Sequence, residues 1–174
     1  MPSPIGHALA GIAAGWVVAP PRRERTARLR RAMVYGLVAA LPDLDLLIGA
    51  HSGPTHGLGA ALIAGAVAWL FLRSSRGGHA VRVALAITAA YASHTLLDWL
   101  GTDTSPPIGI MALWPFSRGY DESPLHVFMA ISRRYWRREF WTYNLLALAR
   151  ELVILVPVVA IVVRYRRDGS IRHP

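Results

Sequence analysis

The stretch Val83 to Leu100, VALAITAAYASHTLLDWL, decides how the rest of the chain is read. It is apolar or small nearly throughout, and its length approaches what an α-helix needs to cross a hydrocarbon core of roughly 30 Å. Two ionisable residues, His94 and Asp98, stand near its far end. Four positions apart in a helix, they share one face, and at that depth each is costly unless paired or bound to an ion. The stretch predicts a membrane-embedded helix with a polar pair to satisfy. A metal would satisfy both residues, and so would a hydrogen bond in which Asp98 orients His94.

Four more apolar stretches accompany it: Ile5 to Ala19, Met33 to Ile48, Gly57 to Leu72 and Leu145 to Val163. Several run to only about 16 residues, near the lower limit for a span, so tilted or partly re-entrant helices are anticipated as well. The chain has 174 residues, 53% hydrophobic and 17% charged, which is too apolar for a surface-rich soluble domain. A soluble helical domain would need polar helix faces that are scarce here. The expected fold is all-α, a multi-pass transmembrane bundle of four to five spans with an interfacial loop segment. Residues 1–174 would form one integral membrane domain, with 5–126 as a metal-site core and 127–174 as interfacial segment, last helix and basic tail. Gly11, Gly15, Gly59 and Gly65 would let helices approach closely, because packing in lipid rests on small side chains. Trp16, Trp69, Trp99, Tyr143 and Tyr165 fall near segment ends, where aromatic rings anchor in the headgroup zone.

The net charge of +9 comes from Arg alone, since the chain has no Lys. These Arg residues form short clusters between apolar runs rather than one basic stripe, which favours topology signals over nucleic-acid binding. Clusters at Arg22 to Arg31, Arg73 to Arg82 and Arg164 to Arg172 suit cytoplasmic loops. The first segment, lacking a basic start, reads as a retained helix with its N-terminus outside. Residues 49–56 and 101–144 would then be extracytoplasmic. Arg133, Arg134, Arg137 and Arg138, interleaved with Tyr135, Trp136 and Trp141, run against that rule. They read as an interfacial amphipathic segment touching lipid phosphates, or else as a sign of inverted topology.

The remaining ionisable residues are placed more tellingly. His7 opens the first segment, Asp43 and Asp45 close the second, His51 and His56 occupy the next loop, and His94 and Asp98 end the fourth. In an up-and-down bundle these four places share one membrane face. Pro42 should disrupt the helix before Asp43 and free its backbone. His51-Ser-Gly-Pro-Thr-His56 sets two imidazoles around a tight turn. With no Cys in the chain, a metal would rest on His and carboxylate ligands, enough of them for one metal with an open position or for two about 3.5 to 4 Å apart. Taken singly, each group has a plainer reading: a solvated loop for Asp43 and Asp45, a packing residue for His7. In the loop after Asp98, Arg118 could stabilise a phosphoryl charge, and Asp121 or His126 could join the metal or act as base, against the plainer reading of solvated charges around a Trp114-Pro-Phe anchor.

Gly6-His7-Ala8-Leu9, Leu41-Pro42-Asp43-Leu44-Asp45, His51 to His56, Ser93-His94-Thr-Leu-Leu-Asp98 and Leu113-Trp114-Pro115-Phe116, in this order, resemble the YdjM-type family of small bacterial inner-membrane proteins, described as membrane-bound metal-dependent hydrolases. The resemblance spans about Gly6 to Phe116. It implies His7, Asp43, Asp45, His51, His56, His94 and Asp98 as metal ligands, Asp43 and Asp98 among them as catalytic carboxylates. The family element His-Arg-Gly-x-Thr-His-Ser is altered here to Ser52 and Gly57 at its Arg and final Ser.

The function anticipated is hydrolysis of a phosphoester, or another ester, of a lipid-like substrate by metal-activated water, with Arg118 binding substrate. Zinc is the first choice of metal, manganese or magnesium the next. Membrane lipids are the expected partners, a phospholipid or lipid-linked molecule the substrate, and nucleic acid is not expected. The location would be the bacterial inner membrane, with the site on the extracytoplasmic face. The alternative is a non-catalytic or ion- or proton-conducting membrane protein with a structural His/Asp cluster.

Overall fold

Ser3 and Pro4 begin the first helix. In the computed structural model, which describes residues 1–20, 24–49, 52–74 and 78–169 with side chains through 166, the Ser3 hydroxyl accepts from the Gly6 N–H at 3.1 Å. Pro4 sits in the first turn, where its missing N–H costs nothing. Helix α1 follows, Pro4–Val18. Helix α2, Arg25–Ala40, tightens into a 3-10 helix over Leu41–Ile48, as Pro42 can neither donate to the helical ladder nor fit its ring against the preceding turn. Gly49, at φ 73°, ends it in a conformation suited to glycine. A short turn, Pro54–His56, leads into α3, Leu58–Leu72, and then α4, His79–Trp99. A connection over residues 100–139 carries no helix, and α5 runs Phe140–Gly169.

Helices α1 and α4 form the centre: α1 packs on α2, α4 and α5, and α4 on α1, α2 and α3. Small residues make this possible. A Cβ on Gly11 would overlap the Ala39 side chain, one on Gly15 the Tyr35 ring, and one on Gly65 the Thr88 hydroxyl. Away from the functional end, Trp16, Ala19, Tyr35, Ala86, Ile87 and Ala90 close an apolar core. The outer surface is apolar too, with Leu47, Ile48, Phe71 and Val153 all largely exposed, as a lipid-facing coat requires.

Among the described residues, two helices are long and apolar enough to cross a membrane, α4 and α5 over Phe140–Arg166, fewer than the four to five anticipated. The reason lies in where the other helices stop. Helices α1 and α3 are apolar but have 15 residues each, or about 22 Å of rise. The anticipated Met33 to Ile48 segment is not one helix: α2 ends at Ala40 and its first half carries Arg25, Arg28, Arg30 and Arg31. Trp16 is no headgroup anchor either, being packed in the apolar core, whereas Trp69 and Tyr165 are exposed.

The long connection folds back over one end of the bundle. The Met111 N–H donates to Ser52 O (3.0 Å), Gly59 N–H to Trp114 O (2.8 Å), Val127 N–H to Leu100 O (2.7 Å) and Ile131 N–H to Met1 O (3.1 Å). Gly57 is needed here, since a Cβ would stand 2.8 Å from both Met111 O and the Trp114 side chain. In the stretch from Arg133 to Trp141, read from sequence as an interfacial amphipathic segment, residues 135–139 form turns ahead of α5, with Tyr135, Trp136 and Trp141 exposed.

Candidate metal centre

The ionisable residues of four separate stretches meet beneath that connection. His7 comes from the second turn of α1, Asp43 and Asp45 from the 3-10 helix after α2, His56 from the turn before α3, and His94 and Asp98 from the last turns of α4. His51 lies outside the described residues. Asp98 stands at the hub: its Oδ1 is 3.3 Å from His7 Nε2, and its Oδ2 is 2.9 Å from His94 Nε2 and 3.5 Å from His56 Nε2. Asp43 closes the other side, 3.8 Å from His94 Nε2, 3.9 Å from His56 Nε2 and 4.0 Å from His7 Nε2. The His7 and His94 rings stack with centroids 3.8 Å apart.

The tautomer of His94 is fixed by its backbone partner. Its Nδ1 lies 2.8 Å from Ala39 O, and a carbonyl only accepts, so Nδ1 carries the proton and a neutral ring turns the Nε2 lone pair inward. Ala39 can serve because the ladder tightens just beyond it, leaving late carbonyls of α2 in want of donors. With Nε2 2.9 Å from a carboxylate oxygen, the pair needs a positive species, either a proton on Nε2 or a cation bound by both. Neither ring nitrogen of His7, nor His94 Nε2, nor either Asp98 oxygen has a hydrogen-bond partner among the described residues, though all three side chains are buried. These atoms meet one another as close His–Asp pairs, at 2.9 Å and 3.3 Å, and have no hydrogen-bond partner outside the cluster among the described residues.

Two triads have ligand atoms within 4.8 Å of one another, His7-His94-Asp98 and Asp43-His56-His94. The donor set of three imidazoles and two carboxylates therefore fits a divalent cation. Asp45 sits behind it, 3.3 Å from His56 Nδ1 and accepting from the Thr55 hydroxyl at 2.8 Å. The Tyr91 hydroxyl in turn donates to Thr55 O at 2.8 Å. Burial disfavours a charged His56, but the carboxylates of Asp43 and Asp45 on either side outweigh it and push its pKa up to about 9. Burial likewise disfavours the Asp43 anion, yet the facing His56, with His94 and His7 beyond, holds its pKa below the usual value. A cation entering the cluster would displace the His56 proton.

Asp43 is the cluster member that reaches outward, its side chain 19% exposed. It lines a cavity of about 420 Å³ between the α1 start, the 3-10 helix and the turns before α5, where Arg133, Arg134, Arg137, Phe140 and Tyr143 also stand. Arg118 is exposed on the long connection and is not among the residues lining this cavity. Asp121 pairs through its backbone with Ile110, Glu122 accepts from the Asp103 N–H at 3.1 Å, and His126 is exposed at φ 43°, so the structure brings none of them to the cluster. Glu151, which the sequence reading passed over, is buried in α5 and accepts from Ser3 through its N–H at 2.7 Å and through its hydroxyl. A lone carboxylate inside an apolar run was the signal for it.

A family model for the YdjM inner membrane protein matches residues 1–169, extending beyond the stretch from Gly6 to Phe116 that carries the resemblance in the sequence. No curated protein and no solved structure matched the chain.

Proposed function

Because the chain belongs to the YdjM inner membrane protein family, we propose that it is a multi-pass hydrolase of the bacterial inner membrane whose His/Asp cluster holds a divalent cation. The observation that carries this reading is the convergence of buried His7, His94 and Asp98 atoms within 4.8 Å of one another, with no hydrogen-bond partner outside the cluster among the described residues. His7, Asp43, His56, His94 and Asp98 are the ligands, and the three imidazoles favour zinc over magnesium, with manganese next. A cation bound there supplies Lewis-acid polarisation of a phosphoryl oxygen and lowers the pKa of a bound water.

The chain's own residues do the rest. Asp98, facing three imidazoles, fixes the geometry of the cluster, and the Ala39 carbonyl keeps His94 in its ligating tautomer. Asp45 and Thr55 hold the His56 ring from behind. Asp43, at the cavity, is placed to take a proton from an attacking water. The substrate is a phosphoester of a lipid-like molecule, entering at the headgroup level. Helices α1 and α3 are embedded beside α4 and α5, with the cluster on the extracytoplasmic face. The test is detergent-purified protein assayed for bound metal and for cleavage of phosphatidic acid and a chromogenic phosphodiester. Stoichiometric metal and turnover, both abolished by chelation and by Asp98→Asn, support the reading; folded protein that takes up no metal contradicts it.

A further inference from the structure

One Arg cluster breaks the charge pattern of the chain. Helix directions put Arg25 to Arg31, Arg73, Arg82, and Arg164 with Arg166 at the end away from the metal cluster, since α2 and α4 run toward it and α5 runs from it. Arg133, Arg134 and Arg137 lie at the opposite end, in the turns before α5, and line the same cavity as Asp43. Two of the acidic groups on its wall have other engagements: Asp103 accepts from the Ser105 and Gly109 N–H groups at 3.1 Å each, and Asp43 faces the cluster. Glu139 is the remaining carboxylate of the lining.

The cavity thus sets the three guanidinium groups beside the carboxylates of Asp43, Asp103 and Glu139, with Phe140 and Tyr143 of its wall at the start of α5. Exposed Tyr135, Trp136 and Trp141 flank it, a composition suited to the headgroup layer. Guanidinium groups pair with phosphate oxygens in forked geometry, and at about 420 Å³ the space is of ligand size.

We propose that this cavity is the substrate subsite and that Arg133, Arg134 and Arg137 bind the phosphate of an anionic membrane amphiphile, directing its ester toward Asp43. The assignment rests on the hydrolase reading for the word substrate, but the binding it describes does not need turnover. It places anion recognition on the turns before α5 in place of Arg118.

The experiment uses the full chain in maltoside detergent, with and without added zinc, titrated calorimetrically with dihexanoyl phosphatidic acid, dihexanoylglycerol and inorganic phosphate. Wild type should bind phosphatidic acid more tightly than either of the others. In Arg134→Gln/Arg137→Gln that affinity should fall about tenfold or more, with metal content unchanged, while Arg118→Gln and Arg164→Gln bind as wild type does. Unchanged affinity in the double variant overturns the proposal. So does an equal loss in Arg164→Gln, which would mean diffuse charge, and so does inorganic phosphate binding as tightly as the amphiphile, which would mean a free-phosphate site. Arg-dependent binding without metal or cleavage would leave the subsite standing and remove the hydrolase. Cleavage with KM unaltered in the double variant would do the reverse.

Discussion

The two ends of the α1–α4 pair are packed by opposite means. At the Arg-capped end, Trp16, Tyr35, Ala86, Ile87 and Ala90 close against one another, and Gly15 admits the Tyr35 ring where any larger residue would collide. At the other end the same helices bring together His7, His94 and Asp98, whose buried polar atoms lack hydrogen-bond partners. The apolar end is closed by side-chain packing, although Trp16 Nε1 is buried there without a hydrogen-bond partner among the described residues, while the polar end brings together donors that the proposed cation would complete. Stability from the first should be indifferent to metal, and stability from the second should depend on it.

The largest effect is expected from Asp98→Asn, which removes the charge facing three imidazoles. Metal affinity should fall beyond the roughly 100-fold that outer-shell changes reach, and the rise in Tm that zinc gives the wild type should vanish, as read by a thermal shift in detergent. Gly15→Leu should act in the opposite sense, lowering Tm equally with and without zinc by overpacking worth about 1–3 kcal/mol. A zinc-dependent Tm loss there would erase the distinction between the ends.

Glu151→Ala tests how the polar end is held from outside. The Ser3 N–H and hydroxyl would lose a buried acceptor, at about 1–3 kcal/mol, and the start of α1, which carries His7, would lose its tie to α5. We expect both a lower Tm and weaker metal binding. Asp45→Asn should leave the fold intact and weaken zinc binding by about 10–100-fold in a competitive chelator titration, since Asp45 orients His56 from behind. Arg118→Gln should change neither metal content nor turnover.

Much of the polar end was legible in the sequence, and the reason is local. His94 and Asp98 had to share a helix face, and Pro42 had to end α2 where it did, which also left the Ala39 carbonyl for His94. The alternation of helix directions then carried His7, Asp43 and His56 to the same place. What stayed hidden depends on distant pairing. Glu151 gains meaning only from Ser3, 148 positions away. That Arg133, Arg134 and Arg137 share a cavity with Asp43 was hidden as well, because a cavity built jointly by the α1 start, the 3-10 helix and those turns leaves no pattern in any one of them. The second segment was carried too far along the chain for a related reason: apolar residues continue past Ala40 into the 3-10 helix, where composition persists but the α-helix does not.

Elemental analysis of detergent-purified protein, wild type beside His94→Ala and Asp98→Asn, tests the central claim most directly. The account predicts at least one zinc or manganese per wild-type chain, removable by chelation, and none in either variant while circular dichroism still reports a folded helical protein. Wild-type protein that is folded, active or not, and takes up no divalent cation after exposure to zinc and manganese would contradict it.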